Sequence, residues 1–217
     1  HLGELDQRGR QLLGLLLGAL PQGVHELAGG VAGAPVGRRH RVTPRRVDSH
    51  GVRILGGNTL EQGAVVAREF RKVGVVGLGT MGAGIAEVLA RSGVEVVGVE
   101  HDDAGVIRAQ GHLQSSTARA VKRGKLTEAD VEALLGRIST GTDLTALKDC
   151  ELVVEAVPEH MDLKKELFAR LDELLGEDAV LATNTSALSV TELATSTNRP
   201  SKVVGLHWFN PAPVMEL

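Results

Sequence analysis

Cysteine is almost missing from this chain of 217 residues, where Cys150 stands alone. One thiol cannot close an internal disulfide, and it cannot build a metal site by itself. Its neighbours are Asp149 and Glu151, and nearby carboxylates keep a thiol protonated rather than activate it. Cys150 therefore reads as structural, and no metal site is expected. Aromatic residues make up only 2%, too few for the stacking platforms that hold single-stranded nucleic acid. A formal charge of −3 gives no electrostatic reason to expect nucleic acid or an anionic membrane as partner. No apolar run approaches the roughly 20 residues that a membrane span needs. The nearest, Leu12 to Leu20, follows Arg8 and Arg10 in the outline of a signal peptide. Gly14 and Gly18 interrupt it and no A-x-A site follows closely, so it reads as an apolar patch. A cytoplasmic location is expected.

What is present divides near residue 70. Overall, 42% hydrophobic and 24% charged residues suit a globular protein. Residues 1–70, however, hold thirteen of the 27 glycines and nine arginines, and the first lysine is Lys72. Neither helical periodicity nor strand alternation persists there. The basic run from Arg38 to Arg46 reads as a solvated segment. We expect residues 1–70 to be an extension without a stable fold that is not part of the natural protein; the opening at His1 fits a fragment.

From Arg71 onward the local signals agree. VGVVGLG (Val73–Gly79) has the profile of a buried parallel strand. Thr80–Arg91 places Ile85, Val88 and Leu89 at helical spacing, with Gly93 as a terminator. A second buried strand runs from Val94 to Glu100, and a long helix from Asp102 to Arg123, weakened at Gly105 and Gly111. Thr127 and Asp130 open another helix. Glu151–Val157 is a strand, Leu163–Leu175 a strongly periodic helix, and Ala179–Ser186 a strand entering a polar turn. Ser189 and Glu192 form an S-x-x-E capping box, and Lys202–Leu206 is a last strand. Alternating strands and helices imply right-handed crossovers and an α/β fold, doubly wound around a mostly parallel sheet.

The first turn of that sheet carries G-x-G-x-x-G as GLGTMG: Gly77, Leu78, Gly79, Thr80, Met81 and Gly82. Alone the pattern is weak, but here it lies between a strand and a helix, where it binds dinucleotides. Gly77 permits the tight turn, Gly79 the approach of a pyrophosphate, and Gly82 close packing of helix on strand. The phosphates would then meet backbone N–H groups at the positive end of the helix. Gly84 extends the bare face. Glu100 ends the second strand, 18 residues after Gly82. A carboxylate there bonds the ribose hydroxyls of NAD and repels the extra phosphate of NADP. His101, Asp102 and Asp103 follow as a helix-start cluster rather than a metal site.

Three later segments bear on chemistry: VVEAVPEHMDLKKELF (Val153–Phe168), TNTSALSV (Thr183–Val190) and GLHWFNPAPVMEL (Gly205–Leu217). Together with GLGTMGAGIA, in this order and spacing, they resemble the short-chain L-3-hydroxyacyl-CoA dehydrogenases, including bacterial 3-hydroxybutyryl-CoA dehydrogenases. The resemblance runs from about Lys72 to Leu217. It implies a Rossmann domain over residues 71–217, NAD as cofactor and an acyl-CoA as substrate. It also implies that His207 is the general base, Ser186 the hydrogen-bond partner of the reacting oxygen, and Asn210 a neighbour of nicotinamide and substrate. Glu159 and Lys164 match positions on the ribose and nicotinamide side; on pattern alone they are a solvated pair. Ser116, Lys122 and Arg123 match positions that hold the CoA moiety.

The resemblance also implies parts beyond Leu217. The family's histidine is oriented by a glutamate twelve residues further on, which would be position 219. Glu216 does not match it by spacing. The family's C-terminal helical domain, with its acyl pocket and homodimer contacts, is likewise absent. We therefore expect the chain as given to bind NAD and to turn over poorly. Three other readings are weaker. The β-hydroxyacid dehydrogenases share only GLGxMG and rely on a lysine in their helical domain. A non-enzymatic protein on the same domain, like lens lambda-crystallin, fits less well because His207, Ser186 and Asn210 all match the active pattern. A multifunctional fatty-acid oxidation protein would place a hydratase domain ahead, which residues 1–70 do not resemble.

The division at residue 70 is open to limited proteolysis read by mass spectrometry. Rapid trimming to near Phe70 is expected, and a protected fragment that includes residues 1–70 would overturn it.

Overall fold

The computed structural model describes residues 68–214. The extension over residues 1–67, the apolar patch from Leu12 to Leu20, the basic run from Arg38 to Arg46 and Glu216 lie outside the described residues. The elements are β1 (Lys72–Val76), α1 (Thr80–Arg91), β2 (Glu95–Val99), α2 (Asp103–Lys122), α3 (Glu128–Leu135) and β3 (Ile138–Gly141). They continue with β4 (Leu152–Glu155), α4 (Met161–Leu174), β5 (Val180–Thr183), α5 (Val190–Ala194) and β6 (Val203–Gly205). All pairings are parallel, in the order β3-β2-β1-β4-β5-β6. This is the doubly wound sheet expected, with the strand order reversing between β1 and β4.

Burial explains which strands the sequence announces. In β4 and β5 every residue is buried, and in β1 and β2 all but the first. Strands covered on both faces read as continuous apolar runs. The two edge strands are less buried; β6 still keeps an apolar Val-Val pair, whereas β3 was missed by the sequence reading. It is an edge strand, ISTG, only half-buried along most of its length, so it lacks an apolar run. Its position is set by pairing, Val96 opposite Ile138 through Val99 opposite Gly141.

The helix ends are set by local chemistry. Asp102 caps α2 by accepting the Gly105 N–H at 2.6 Å. Helix α2 runs unbroken through Gly105 and Gly111. Thr127 and Asp130 close a complete capping box on α3. The box expected on α5 is half-formed: Ser189 accepts the Glu192 N–H at 3.1 Å, but the Glu192 carboxylate pairs with Lys165 at 2.6 Å instead of reaching back. Helix α4 lays Leu167, Phe168 and Leu171 into the core, the last two at 0% exposure. Each such side chain contributes about 1.5–3 kcal/mol. The exposed Lys165–Glu192 pair contributes at most about 1 kcal/mol. Packing, not the ion pair, holds α4 against the sheet.

Cys150 lies in that core. Burial is the main cause pushing its thiol up to about 11; Lys72 opposes, and Glu95, Asp149 and Glu151 add to the rise. The sequence reading credited the carboxylates, which are the smaller part. A thiol reagent at pH 8 should find no reactive cysteine in the folded protein and one per chain in denaturant. Fast labelling under native conditions would contradict this placement.

Candidate functional site

Parallel strands bring their carboxyl ends to one edge, and every segment singled out from the sequence leaves the sheet there. The ladder extends past the strands to align these exits. Gly77 N–H donates to the Val99 carbonyl at 2.9 Å and Ala156 N–H to the Val76 carbonyl at 2.8 Å. Asn184 N–H reaches the Glu155 carbonyl at 2.8 Å and Leu206 N–H the Thr183 carbonyl at 2.9 Å.

The glycine turn is built by close approach. Gly77 has φ +83, and a Cβ there would lie 2.8 Å from the Ala156 carbonyl oxygen. A Cβ on Gly82 would lie 1.7 Å from the Gly77 carbonyl oxygen. Gly79 differs: a Cβ would meet nothing within 4 Å. It is the N-cap of α1, with no side chain capping the helix and no acid in its first turn. The bare backbone and uncapped positive end suit an anion such as a dinucleotide pyrophosphate. Thr80 is exposed and Met81 half-buried beside it. Leu78 is at 1% exposure, its side chain filling the space left by Gly98, so it meets the turn only with its backbone.

Glu100 stands at the end of β2. One carboxylate oxygen accepts the Leu78 N–H at 2.6 Å and the other the His101 N–H at 2.9 Å. It thereby ties the glycine turn to the second strand. A carboxylate has about four lone-pair sites, so acceptor capacity remains for ribose hydroxyls. Gly105, read from sequence as a weak point of the helix, has another use here. A Cβ on it would lie 2.9 Å from a Glu100 carboxylate oxygen, so the glycine makes room for that acid.

The polar loops after β4, β5 and β6 form one connected cluster. Glu155, Lys164 and Thr183 are all at 0% exposure. Glu155 accepts from the Val157 N–H at 2.7 Å, from Lys164 Nζ at 2.9 Å and from the Thr183 hydroxyl at 2.6 Å. The same ammonium lies 2.9 Å from Glu159. Glu159 in turn accepts from the Thr185 hydroxyl and from the Ser186 N–H, the latter at 3.2 Å. Partial burial pushes the Glu159 carboxyl up. The Thr185 hydroxyl, Lys164 and the Ser186 N–H outweigh it and hold the group below the usual carboxylate range. Ser186 Oγ lies 2.8 Å from His207 Nε2 in a hydrogen bond. The His207 ring meets Phe209 edge-on, centroids 4.9 Å apart. Asn184 accepts the Trp208 N–H at 2.9 Å, which pins the segment carrying His207 to the loop carrying Ser186.

His207, Ser186, Glu159 and Lys164 are thus brought together. Lys164 is no solvated partner of Glu159, since its ammonium lies wholly inside. Asn210 is exposed, three residues beyond His207 and joined by a cis peptide bond to Pro211. The following Ala212 and Pro213 pack on α1, each 3.2 Å from a Cβ placed on Gly84. Ser116, Lys122 and Arg123 stand apart, in the second half of α2 and at its end. Lys122 and Arg123 lie about 30 Å along the helix from its start. No hydrogen bond joins any of the three to the His207 cluster among the described residues. The sequence reading missed Glu155, Thr183, Asn184 and Thr185. Glu155 had a signal: it is a lone charge inside an apolar run (VVEAV), and buried acids are rare unless paired. Among the described residues no three His, Cys, Asp or Glu side chains are placed to hold a metal ion, and no helix is long and apolar enough to cross a membrane.

Residues 72–217 match the family model of the 3-hydroxyacyl-CoA dehydrogenase, NAD binding domain. The chain belongs to the 3-hydroxyacyl-CoA dehydrogenase family. Its part of that family is the NAD-binding domain, and its cofactor is NAD. It is 47% identical over 149 residues to the 3-hydroxybutyryl-CoA dehydrogenase of Mycobacterium tuberculosis, covering 68% of this chain and 52% of that protein. It is 44% identical to the 3-hydroxyadipyl-CoA dehydrogenase of Escherichia coli K12, covering 67% of this chain and 30% of the relative. Among solved structures, M. tuberculosis FadB2 matches with a TM-score of 0.67 and 46% identity, over 68% of this chain and 52% of the other. The (S)-3-hydroxybutyryl-CoA dehydrogenase PaaH1 of Ralstonia eutropha matches with a TM-score of 0.67 and 44% identity, over 69% and 53%. The chain spans about half the length of the 3-hydroxybutyryl-CoA dehydrogenases it matches.

The glycines of this turn separate fold from ligand. Gly79→Ala should leave thermal stability nearly unchanged and weaken NAD by about tenfold or more, roughly 1.4 kcal/mol. Gly82→Ala should cost about 3 kcal/mol of folding stability. Titration calorimetry and urea unfolding measure the two; equal effects in both assays would refute the division.

Proposed function

We propose that this chain is the cofactor-binding half of an NAD-dependent oxidoreductase that converts L-3-hydroxyacyl-CoA to 3-ketoacyl-CoA, or the reverse, in fatty-acid or butanoate metabolism. The observation that carries the reading is the pairing of Ser186 Oγ with His207 Nε2 at 2.8 Å, at the carboxyl edge of the sheet from which the glycine turn also leaves. Oxidising a secondary alcohol removes a proton from oxygen and a hydride from carbon. When bound, NAD supplies the hydride acceptor. An imidazole accepts a proton near neutral pH, so His207 takes the hydroxyl proton as general base. The Ser186 hydroxyl holds the same substrate oxygen, steadying it as it becomes a carbonyl. Asn210 lies on the segment that carries His207 and borders substrate and nicotinamide.

The remaining assignments follow the cofactor and substrate outward. Gly77, Leu78, Gly79, Thr80, Met81 and Gly82 take the pyrophosphate, and Glu100 takes the adenosine ribose. Glu159 reaches the nicotinamide side, with Lys164 behind it. Ser116, Lys122 and Arg123 take the CoA moiety, where cations suit its phosphates. Residues 71–217 are the NAD-binding domain and residues 1–70 an extension to it.

The test is NADH oxidation with acetoacetyl-CoA, in the chain extended to the length of its relatives. Consumption should fall at least about 100-fold in His207→Ala. Tight NADH binding without consumption would move the weight to another substrate or to a binding role. Undiminished turnover in His207→Ala would remove it as the base.

A further inference from the structure

The cluster behind His207 has an inner end that the reaction as described does not use. Strand β4 is otherwise Leu, Val and Val, yet it ends in Glu155, a carboxylate at 0% exposure. Stability alone does not call for a charge there. A buried ion pair gains no more than well-packed apolar side chains of similar volume. The acid is nevertheless held from three directions: by the Val157 N–H of its own loop, by Lys164 of α4 and by Thr183 of β5. Both of its carboxylate oxygens are engaged, and two of the three donors, Lys164 and Thr183, come from elements packed in the core.

The opposite end of the cluster is exposed. Glu159 is at 40% side-chain exposure, and Ser186 and His207 are both exposed. Loop side chains in such positions sample several rotamers unless something fixes them. The fixing comes from inside. Lys164 Nζ divides its donors between Glu155 and Glu159, each at 2.9 Å. Glu159 then holds Thr185 and the Ser186 N–H, and Ser186 holds His207. The chain Glu155–Lys164–Glu159–Ser186–His207 runs from the sheet interior to the imidazole.

We infer that Glu155 is a positioning residue for the reaction at His207: it anchors Lys164, so that Glu159 keeps Ser186 set against the imidazole. This rests on the reading of Ser186 and His207 given above. Without the Glu155 charge, Glu159 is the anionic partner left to Lys164 among the described residues. Glu159 is then drawn inward, away from Thr185 and Ser186, and the serine loses its set position. Thr183 supports the same anchor through its hydroxyl.

The test is a double-mutant cycle in the full-length enzyme. Glu155→Gln, close to isosteric, should lower kcat about tenfold, the scale seen when a supporting partner is lost, and leave KM for acetoacetyl-CoA within about twofold. In a Ser186→Ala background the same change should cost little more, because the route to the imidazole is already cut. Losses that multiply, or a Glu155→Gln enzyme with normal kcat and only a lowered melting temperature, would overturn the inference. If Glu155→Gln does not fold, Thr183→Val removes one support of the anchor. It should lower kcat in the same non-additive way, and an unchanged kcat there would likewise overturn it. Undiminished turnover in His207→Ala marks a different failure: the site reading falls, and this inference falls with it, whatever Glu155→Gln does.

Discussion

Helix α1 and strand β1 meet so closely that there is no room for a single carbon atom between Gly82 and the Gly77 carbonyl. Much of the carboxyl edge of the sheet depends on this approach. It aims the start of α1 at the open space beside Gly79, and the left-handed Gly77 makes the turn tight enough to do so. The same helix carries Gly84, against which Ala212 and Pro213 pack. One helix therefore sets both the glycine turn and the segment that follows His207. Because all six strands are parallel, the other polar loops emerge on the same edge without further arrangement.

Much of this was legible in the sequence, for a physical reason. Strands buried on both faces must be apolar throughout, so β1, β2, β4 and β5 showed themselves, and the glycines between β1 and α1 showed the turn. Strand β3 was not legible, because Ile138–Gly141 is half-buried at the sheet edge and held by its pairing with β2. Glu192 was misread for a related reason. Its spacing from Ser189 fits a capping box, but Lys165 comes from α4, and no local pattern reveals a competitor from another helix.

Side-chain burial was the harder part. Lys164 sits in a helix rich in charge, and its sequence neighbours give no sign that it points inward while Lys165 points outward. Only the assembled sheet places Glu155 and Thr183 around its ammonium. Glu155 itself could have been noticed as an acid inside an apolar strand, but its partners stand nine and 28 residues away. Gly105 shows the same limit: helix propensity marks it as a weakness, whereas the structure uses its missing side chain to admit a carboxylate. The positions hardest to read are those whose reason lies in a neighbour distant along the chain.

Glu100 combines three contacts in one residue. Its carboxylate closes the glycine turn through the Leu78 N–H, holds the His101 N–H and fills the hollow above Gly105. The charge at this position and the shape of the turn are a single trait, not two. Exchanging the acid for a basic or neutral residue also unfastens Leu78 and leaves a gap over α2. A change of charge at this position is therefore first a problem of rebuilding a loop, with the electrostatics coming second.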